Sequence, residues 1–278
     1  MGNDETDPLV SVIIPVFNRS SLLKEAIDSV LSQTFDDFEL IIVDDGSTDD
    51  VRGVLNPYND QLILVNQDNN GVSAARNKGI SIARGGLLAF LDSDDLWMPD
   101  KLSRQVAFFR DNPDAVICQT DEIWVRNGRR VNPKNRHRKP SGMIFEPSLS
   151  LCLVSPSAVM IKKELFEEVG VFDESLPACE DYDLWLRISC RHDVHLIEEF
   201  QIIKRGGHAD QLSKSPALDK YRIRSLVKLI DSRVLSDDQL HAAKNKLVEK
   251  CLIYAKGCTK RGRRDEADYY RKLAESYQ

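Results

Sequence analysis

Between residues 9 and 91 apolar, β-rich runs alternate with helix-patterned segments, and this restricts the chain to few folds. Leu9 to Val16 is a nearly continuous apolar strand pattern. A polar Asn18-Arg19-Ser20-Ser21 turn follows, whose serines are expected to cap a helix. Leu22, Leu23, Ala26, Ile27, Val30 and Leu31 then recur at helical spacing, opposite Lys24, Glu25 and Asp28. Phe38 to Val43 and Leu62 to Asn66 read as further strands. Val72 to Arg84 reads as a helix with Val72, Ala75, Gly79, Ile80 and Ala83 inward, and Leu87 to Leu91 as the fourth strand. Strand, helix, strand with continuous apolar strands implies parallel βαβ units buried on both faces.

The strands stop in chemistry-bearing residues. The second runs into Asp44-Asp45-Gly46-Ser47-Thr48-Asp49, and the fourth into Asp92-Ser93-Asp94-Asp95. Carboxylates so closely spaced repel unless hydrated or bridged by a cation, and an oxygen-only set suits Mg2+ or Mn2+. The alternative is an acidic turn capping the helix that begins at Pro99. In open parallel sheets ligands bind beyond the carboxyl ends of the strands, which brings the Pro15-Val16-Phe17-Asn18, Asp44-to-Ser47 and Asp92-Ser93-Asp94 loops around one crevice. A carboxylate can accept the N3–H of a uracil, Phe17 offers a base an aromatic face, and a metal on Asp94 can neutralise a diphosphate. Neither G-x-x-x-x-G-K-[ST] nor G-x-G-x-x-G occurs, which disfavours nucleotide triphosphatases and dinucleotide dehydrogenases.

Several motifs, in order, resemble those of family 2 glycosyltransferases with the GT-A fold. They are Val10 to Asn18, Ser32-Gln33-Thr34-Phe35, Glu39 to Asp49, Asn70-Gly71-Val72-Ser73-Ala74-Ala75-Arg76-Asn77 and Phe90 to Asp95. The resemblance covers roughly residues 9 to 213. It implies a Rossmann-like mixed α/β sheet flanked by helices and an inverting transferase that uses a nucleotide-diphosphate sugar, with UDP the expected nucleotide. By the same resemblance Pro15, Val16, Phe17 and Asn18 border the donor, Asp45 contacts the base, and Asp92 and Ser93 lie on the ribose or sugar side. Asp94 holds the metal (Mn2+ or Mg2+), while Arg76 and Asn77 occupy a motif that can contact the donor; an Arg tying down its helix is the plainer alternative. Glu180-Asp181 opens a helix in which Leu184, Ile188 and Trp185 face inward, so these carboxylates are helix-cap candidates in their own right. The resemblance makes Asp181 the general base and Glu180 its support. His208, in the Gly-rich Lys204-to-Ser213 segment, resembles a closing metal- or diphosphate-binding histidine; imidazole suits Mn2+.

The remainder is less regular. Ala115 to Val125 reads as a strand, Asn127-Gly128 as a hairpin turn, and residues 126–139 as a loop with seven Lys or Arg and no acid. It lacks the aromatic interleaving of a nucleic-acid surface. Beyond residue 214 the pattern is helical. Ser215-Pro216 is expected to open one helix, the capping box Ser236-Asp237-Asp238-Gln239 another, and Gly262 precedes a third. The division is thus a catalytic domain over 1–213 and a docked helical appendage over 214–278. The appendage holds 16 Lys and Arg against 9 acids, in a chain whose net charge is −6. A polar, acidic Met1-to-Asp7 start and the lack of an apolar run of roughly 18–20 residues predict a cytoplasmic protein, with peripheral membrane contact through the basic loop or tail compatible. Six cysteines without a C-x-x-C pair read as reduced packing residues. The expected partners are a nucleotide-sugar donor and a glycan or lipid-linked acceptor used in surface polysaccharide synthesis, and no nucleic acid. A non-catalytic sugar-nucleotide scaffold is the rival from another class. A sugar-phosphate nucleotidyltransferase is disfavoured because Val16-Phe17-Asn18-Arg19 lacks glycine.

Overall fold

The computed structural model describes residues 7–207 and 217–278. In chain order the elements are β1 (Val10–Val16), α1 (Ser20–Leu31), β2 (Phe38–Asp44), α2 (Val51–Leu55), β3 (Ile63–Asn66), α3 (Val72–Ile82), β4 (Leu87–Phe90), β5 (Leu96–Trp97), α4 (Lys101–Asp111), β6 (Ile117–Arg126) and β7 (Arg129–Val131). There follow α5 (Phe145–Ser150), β8 (Val159–Lys162), α6 (Leu165–Val169), α7 (Glu180–Ser189), β9 (His195–Gly206), α8 (Leu218–Asp231), α9 (Asp237–Lys260) and α10 (Arg264–Glu275). The strands form one mixed sheet in the order β3-β2-β1-β4-β8-β6-β9-β5, with β7 paired to β6. β3, β2, β1 and β4 are parallel, β8 runs against both β4 and β6, and β9 runs with β6.

All seven residues of β1 are buried, because alternate side chains feed two apolar layers. Val10, Val12, Ile14 and Val16 join Leu23, Ile27 and Val30 of α1 and Leu102 and Val106 of α4. On the other face Ile13, Ile41 and Phe90 meet Ala75 and Ile80 of α3 and Leu184, Trp185 and Ile188 of α7. A third apolar cluster joins Phe145 and Leu149 of α5 and Tyr182 and Leu186 of α7 to α8, α9 and α10. The C-terminal helices thus cover the back of the helix that begins with Glu180.

Two local expectations change. Ser20 and Ser21 do not cap α1: its N-cap position is Arg19 without a side-chain bond, and the Ser20 N–H donates instead to the Asp49 carboxylate at 2.8 Å. This ties the start of α1 to the loop after β2. The helix expected from Ser215-Pro216 begins at Leu218 after Ala217 in the left-handed region; Ser215 and Pro216 lie outside the described residues. The Ser236–Gln239 capping box forms as read, and Gln239 also donates to the Cys190 carbonyl at 2.9 Å, docking α9 on the end of α7. All six cysteines are free. Among the described residues no helix is long and apolar enough to cross a membrane.

Candidate active site

The carboxyl ends of β1, β2 and β4 border a crevice of about 680 Å³, closed on its far side by the start of α7 and the end of β9. That volume suits a nucleotide sugar. Pro15, Val16, Phe17, Asn18, Asp45, Arg76, Asp92, Ser93, Asp94, Glu180 and Asp181 all line it, so the expected loops converge. Phe17 is 44% exposed, a free aromatic face at the rim.

The loops are stitched before any ligand arrives. Asn18, with φ 50°, accepts from the Thr48 N–H at 2.7 Å, while its own N–H donates to Ser47 Oγ at 2.9 Å. Its side chain is therefore engaged in loop closure. Asp45 is buried and accepts three bonds: from the Gln67 amide at 2.7 Å, the Asn70 N–H at 2.9 Å and the Gly71 N–H at 2.8 Å. The turn comes so close that a Cβ on Gly46, already at φ +77°, would lie 2.8 Å from the Asn69 nitrogen. Asp45 thus shapes the entry to α3 as well as facing the crevice.

The acidic strand end divides by function. Asp95 turns inward, accepting from Ser157 Oγ at 2.7 Å and from the Arg205 N–H at 2.9 Å, and burial beside Asp92 pushes its carboxyl well above the usual range. Asp92 and Asp94 stay at the surface of the crevice, their side chains 31% and 18% exposed. Arg19 holds Asp94 Oδ2 at 3.0 Å. Two carboxylates at a strand end suit a hard divalent cation that completes its shell with ligand and water oxygens. Among the described residues no group of three His, Cys, Asp or Glu is placed to hold a metal ion. His208, the other expected metal ligand, lies outside the described residues.

Arg76 occupies the centre. Its guanidinium is buried between Asp92 Oδ1 and Glu180 Oε1, each at 2.8 Å, and lies 5.1 Å from the Phe172 ring. Burial opposes its charge, but the two carboxylates outweigh that and raise it above the ordinary guanidinium value. With both prongs occupied, Arg76 joins the two walls of the crevice. Asn77 does not line the crevice; its amide donates to the Phe172 carbonyl and accepts the Phe172 N–H, pinning the segment before α7, because the helical turn points position 77 away from position 76.

On the far wall, Glu180 and Asp181 open α7 after Cys179 in the left-handed region, and Cys179 caps nothing with its side chain. Burial, then neighbouring Asp181, push the Glu180 carboxyl up against the pull of Arg76. Asp181 is only partly buried. Its Oδ1 accepts the Tyr182 N–H at 2.7 Å and its Oδ2 the Cys152 thiol at 3.4 Å. Asp183 points away, paired with Arg187 at 2.9 Å and with Lys228 of α8 at 2.7 Å. Arg19, Cys152, Lys204 and Arg205 were not foreseen. Arg205 bonds the Asp94 carbonyl and Glu25, and Lys204 bonds Ser155 Oγ at 3.1 Å. The Lys-Arg pair at the end of a strand run was the one available signal.

The site is thus a carboxylate-lined crevice at the carboxyl edge of a mixed α/β sheet. The sequence model of glycosyl transferase family 2 matches residues 11–170, more than half the chain, and the chain belongs to that family. An uncharacterised glycosyltransferase of Rickettsia felis is 34% identical over 218 residues, covering 74% of this chain and 35% of the relative, so the chain spans about a third of that protein. The Escherichia coli enzyme WfaP, a UDP-Glc:alpha-D-GlcNAc-diphosphoundecaprenol beta-1,3-glucosyltransferase, is 28% identical over 88% of this chain and 97% of its own. Among solved structures, S. aureus TarS with UDP-GlcNAc superposes at TM-score 0.70 with 20% identity, over 87% of this chain and 71% of TarS. The mannosyltransferase PcManGT of Pyrobaculum calidifontis, solved with GDP-Man and Mn2+, superposes at 0.62 with 17% identity, over 98% and 85%. Both structures bear out the mixed α/β architecture expected from the sequence.

Proposed function

We propose that the chain is a metal-dependent, inverting glycosyltransferase that moves a sugar from a UDP-sugar to a hydroxyl of a glycan or lipid-linked acceptor in surface polysaccharide synthesis. The observation that carries this reading is that Asp181, at the start of α7, and Asp92 and Asp94, beyond the end of β4, line one crevice. A single displacement at an anomeric carbon needs a base on one side and charge stabilisation on the other. Asp181 takes the proton of the acceptor hydroxyl. The acceptor oxygen then bonds the anomeric carbon as the bond to the diphosphate oxygen breaks, with inversion. Phe17 offers its face to the base, and Asp45 presents a carboxylate to the ring edge. Arg19, Lys204 and Arg205 place positive charge on the diphosphate side. Asp94, with Asp92 beside it, would hold Mn2+ or Mg2+, which when bound supplies further positive charge to the leaving diphosphate. The same placement favours a catalyst over a non-catalytic scaffold, which needs no ordered carboxylate at the start of α7. The basic tail would give such an enzyme peripheral contact with the cytoplasmic membrane face.

A thermal-shift panel of UDP- and GDP-sugars, with and without Mn2+, tests the donor side. A ligand selective for the native state stabilises it by about 2.7 kcal/mol at a hundredfold excess over Kd. UDP-sugars with Mn2+ are expected to give the largest shift, and Asp94→Ala to abolish its metal-dependent part while the fold survives. A shift indifferent to chelator would sink the metal assignment, and an equal shift with GDP-sugars would remove the preference for UDP.

A further inference from the structure

The β6–β7 hairpin carries positive charge that the reading above does not use. β8 runs against both β4 and β6, so β6 points the same way as the donor strands and its hairpin emerges at the crevice edge of the sheet. In the β6–β9 register Trp124 faces Lys204 and Val125 faces Arg205, and both of those basic residues line the crevice. The hairpin is therefore the next wall outward.

Its acidic neighbour is already engaged. Glu122 pairs with Lys139 at 3.1 Å and Lys204 at 3.6 Å; burial opposes its charge, but these lysines lower it to about 2. Arg126, Arg129, Arg130 and Lys134 are exposed and form no ion pair with a carboxylate among the described residues. Arg126 stands by an aromatic centre: the Trp124 ring lies 5.7 Å from its guanidinium, 5.9 Å from Lys204 Nζ and 5.2 Å from the His137 ring. His137 sits below the ordinary imidazole range, first through burial and then through Arg136, Arg126, Lys134 and Lys204. That four cations act on this one ring marks a positive local potential, which attracts anions.

We propose that this rim binds the diphosphate joining an acceptor sugar to its lipid, holding the acceptor beside the crevice. The inference rests on the glycosyltransferase reading and adds the chemical class of the acceptor and the residues that recognise it. Arginine suits the task, since its planar fork matches phosphate oxygens.

Isothermal titration of the full chain with farnesyl diphosphate, with and without saturating UDP, tests it, with farnesol as the uncharged control. The variant combines Arg126→Gln, Arg130→Gln and Lys134→Gln, all exposed and outside the donor crevice. Farnesyl diphosphate is expected to bind the native chain in both conditions and more weakly as salt rises. The variant should lose about tenfold in that affinity and keep its UDP affinity. Equal affinity in variant and native chain overturns the proposal. So does loss confined to vesicles of phosphatidylglycerol, which would make the rim a bilayer contact. If UDP fails to bind the native chain the donor reading fails, and the diphosphate titration still decides the rim.

Discussion

The two walls of the crevice are assembled in different ways. On the donor wall, carboxylates are steadied from nearby in sequence: Asp45 by residues 22 to 26 positions away, and Asp92 by Arg76, 16 positions away. On the wall formed by α7 the decisive bond spans the chain, with Arg76 to Glu180 at a separation of 104. Consecutive parallel strands deliver their loops to one edge without further help, whereas the second wall exists only when the sheet has closed through β8, β6 and β9. The loop after β2 is therefore tied locally, whereas the end of β4 and the start of α7 also depend on bonds from distant parts of the chain.

Asp181→Asn separates the walls most sharply. It preserves shape and the Tyr182 contact but removes the proton acceptor, so turnover is expected to fall roughly a hundredfold to ten-thousandfold. Donor affinity and melting temperature should stay, because the donor wall is untouched. A variant that transfers sugar at the native rate to a confirmed acceptor would return the base assignment to Glu180, since Asp183 is tied to Arg187 and Lys228.

Arg76→Met breaks the bridge between the walls. Removing one partner of a buried ion pair costs about 3–5 kcal/mol, because the carboxylate left behind is buried and unpaired. Glu180 would then rise further above its unfolded value. A carboxyl whose folded pKa is raised binds more protons folded than unfolded, so stability falls as pH rises through that window. The variant is expected to lose more stability at pH 8 than at pH 5, as read by urea unfolding at both. A pH-independent loss would show that Glu180 finds another partner.

Lys101 is the contrasting buried cation, away from either wall. Its Nζ bonds Gln105 Oε1 at 2.6 Å and lies 3.9 Å from the Trp97 ring, with no carboxylate bonded to it among the described residues, and burial lowers it to about 7. With its folded value below the unfolded one, stability should rise as pH climbs from about 7 to about 10. Lys101→Met is expected to stabilise the protein by about 2 kcal/mol at pH 6, with the gain fading towards pH 10. A gain equal at both pH values would mean that the lysine is not the titrating group.

How much was legible in the sequence follows the same division. Parallel strands buried on both faces are unbroken apolar runs, so β1 to β4 and the acids at their ends stand out without alignment. β5 has only two residues and leaves no period, and α5 was not read as a helix. β9 spans His195–Gly206, but its register against β6 shifts between Thr120 and Glu122, so no unbroken alternation marks it in the sequence. Arg19 and Cys152 gain their meaning only from partners distant in sequence, and no local pattern marks them; Lys204 and Arg205 are marked only as a basic pair after a strand run. The domain division fell in a segment outside the described residues. Beyond it α8 to α10 share a core with Tyr182 and Leu186 of α7, so the tail supports the helix that carries the proposed base.

Cys152 gives the smallest expected effect and the finest probe of the acceptor wall. Its thiol sits 3.4 Å from Asp181 Oδ2, and burial together with Asp181 pushes it well above the ordinary thiol range, so it remains an S–H donor across neutral pH. The thiol thus helps hold the Asp181 carboxylate in one orientation. Cys152→Ser keeps a donor at that oxygen and should leave kcat near native, whereas Cys152→Ala removes it and should lower kcat about threefold with donor affinity unchanged. Cavity effects alone would lower the melting temperature without separating the two variants in kcat. If both variants turn over at the native rate, the Tyr182 N–H alone orients Asp181, and Cys152 is a packing residue as its sequence context first indicated.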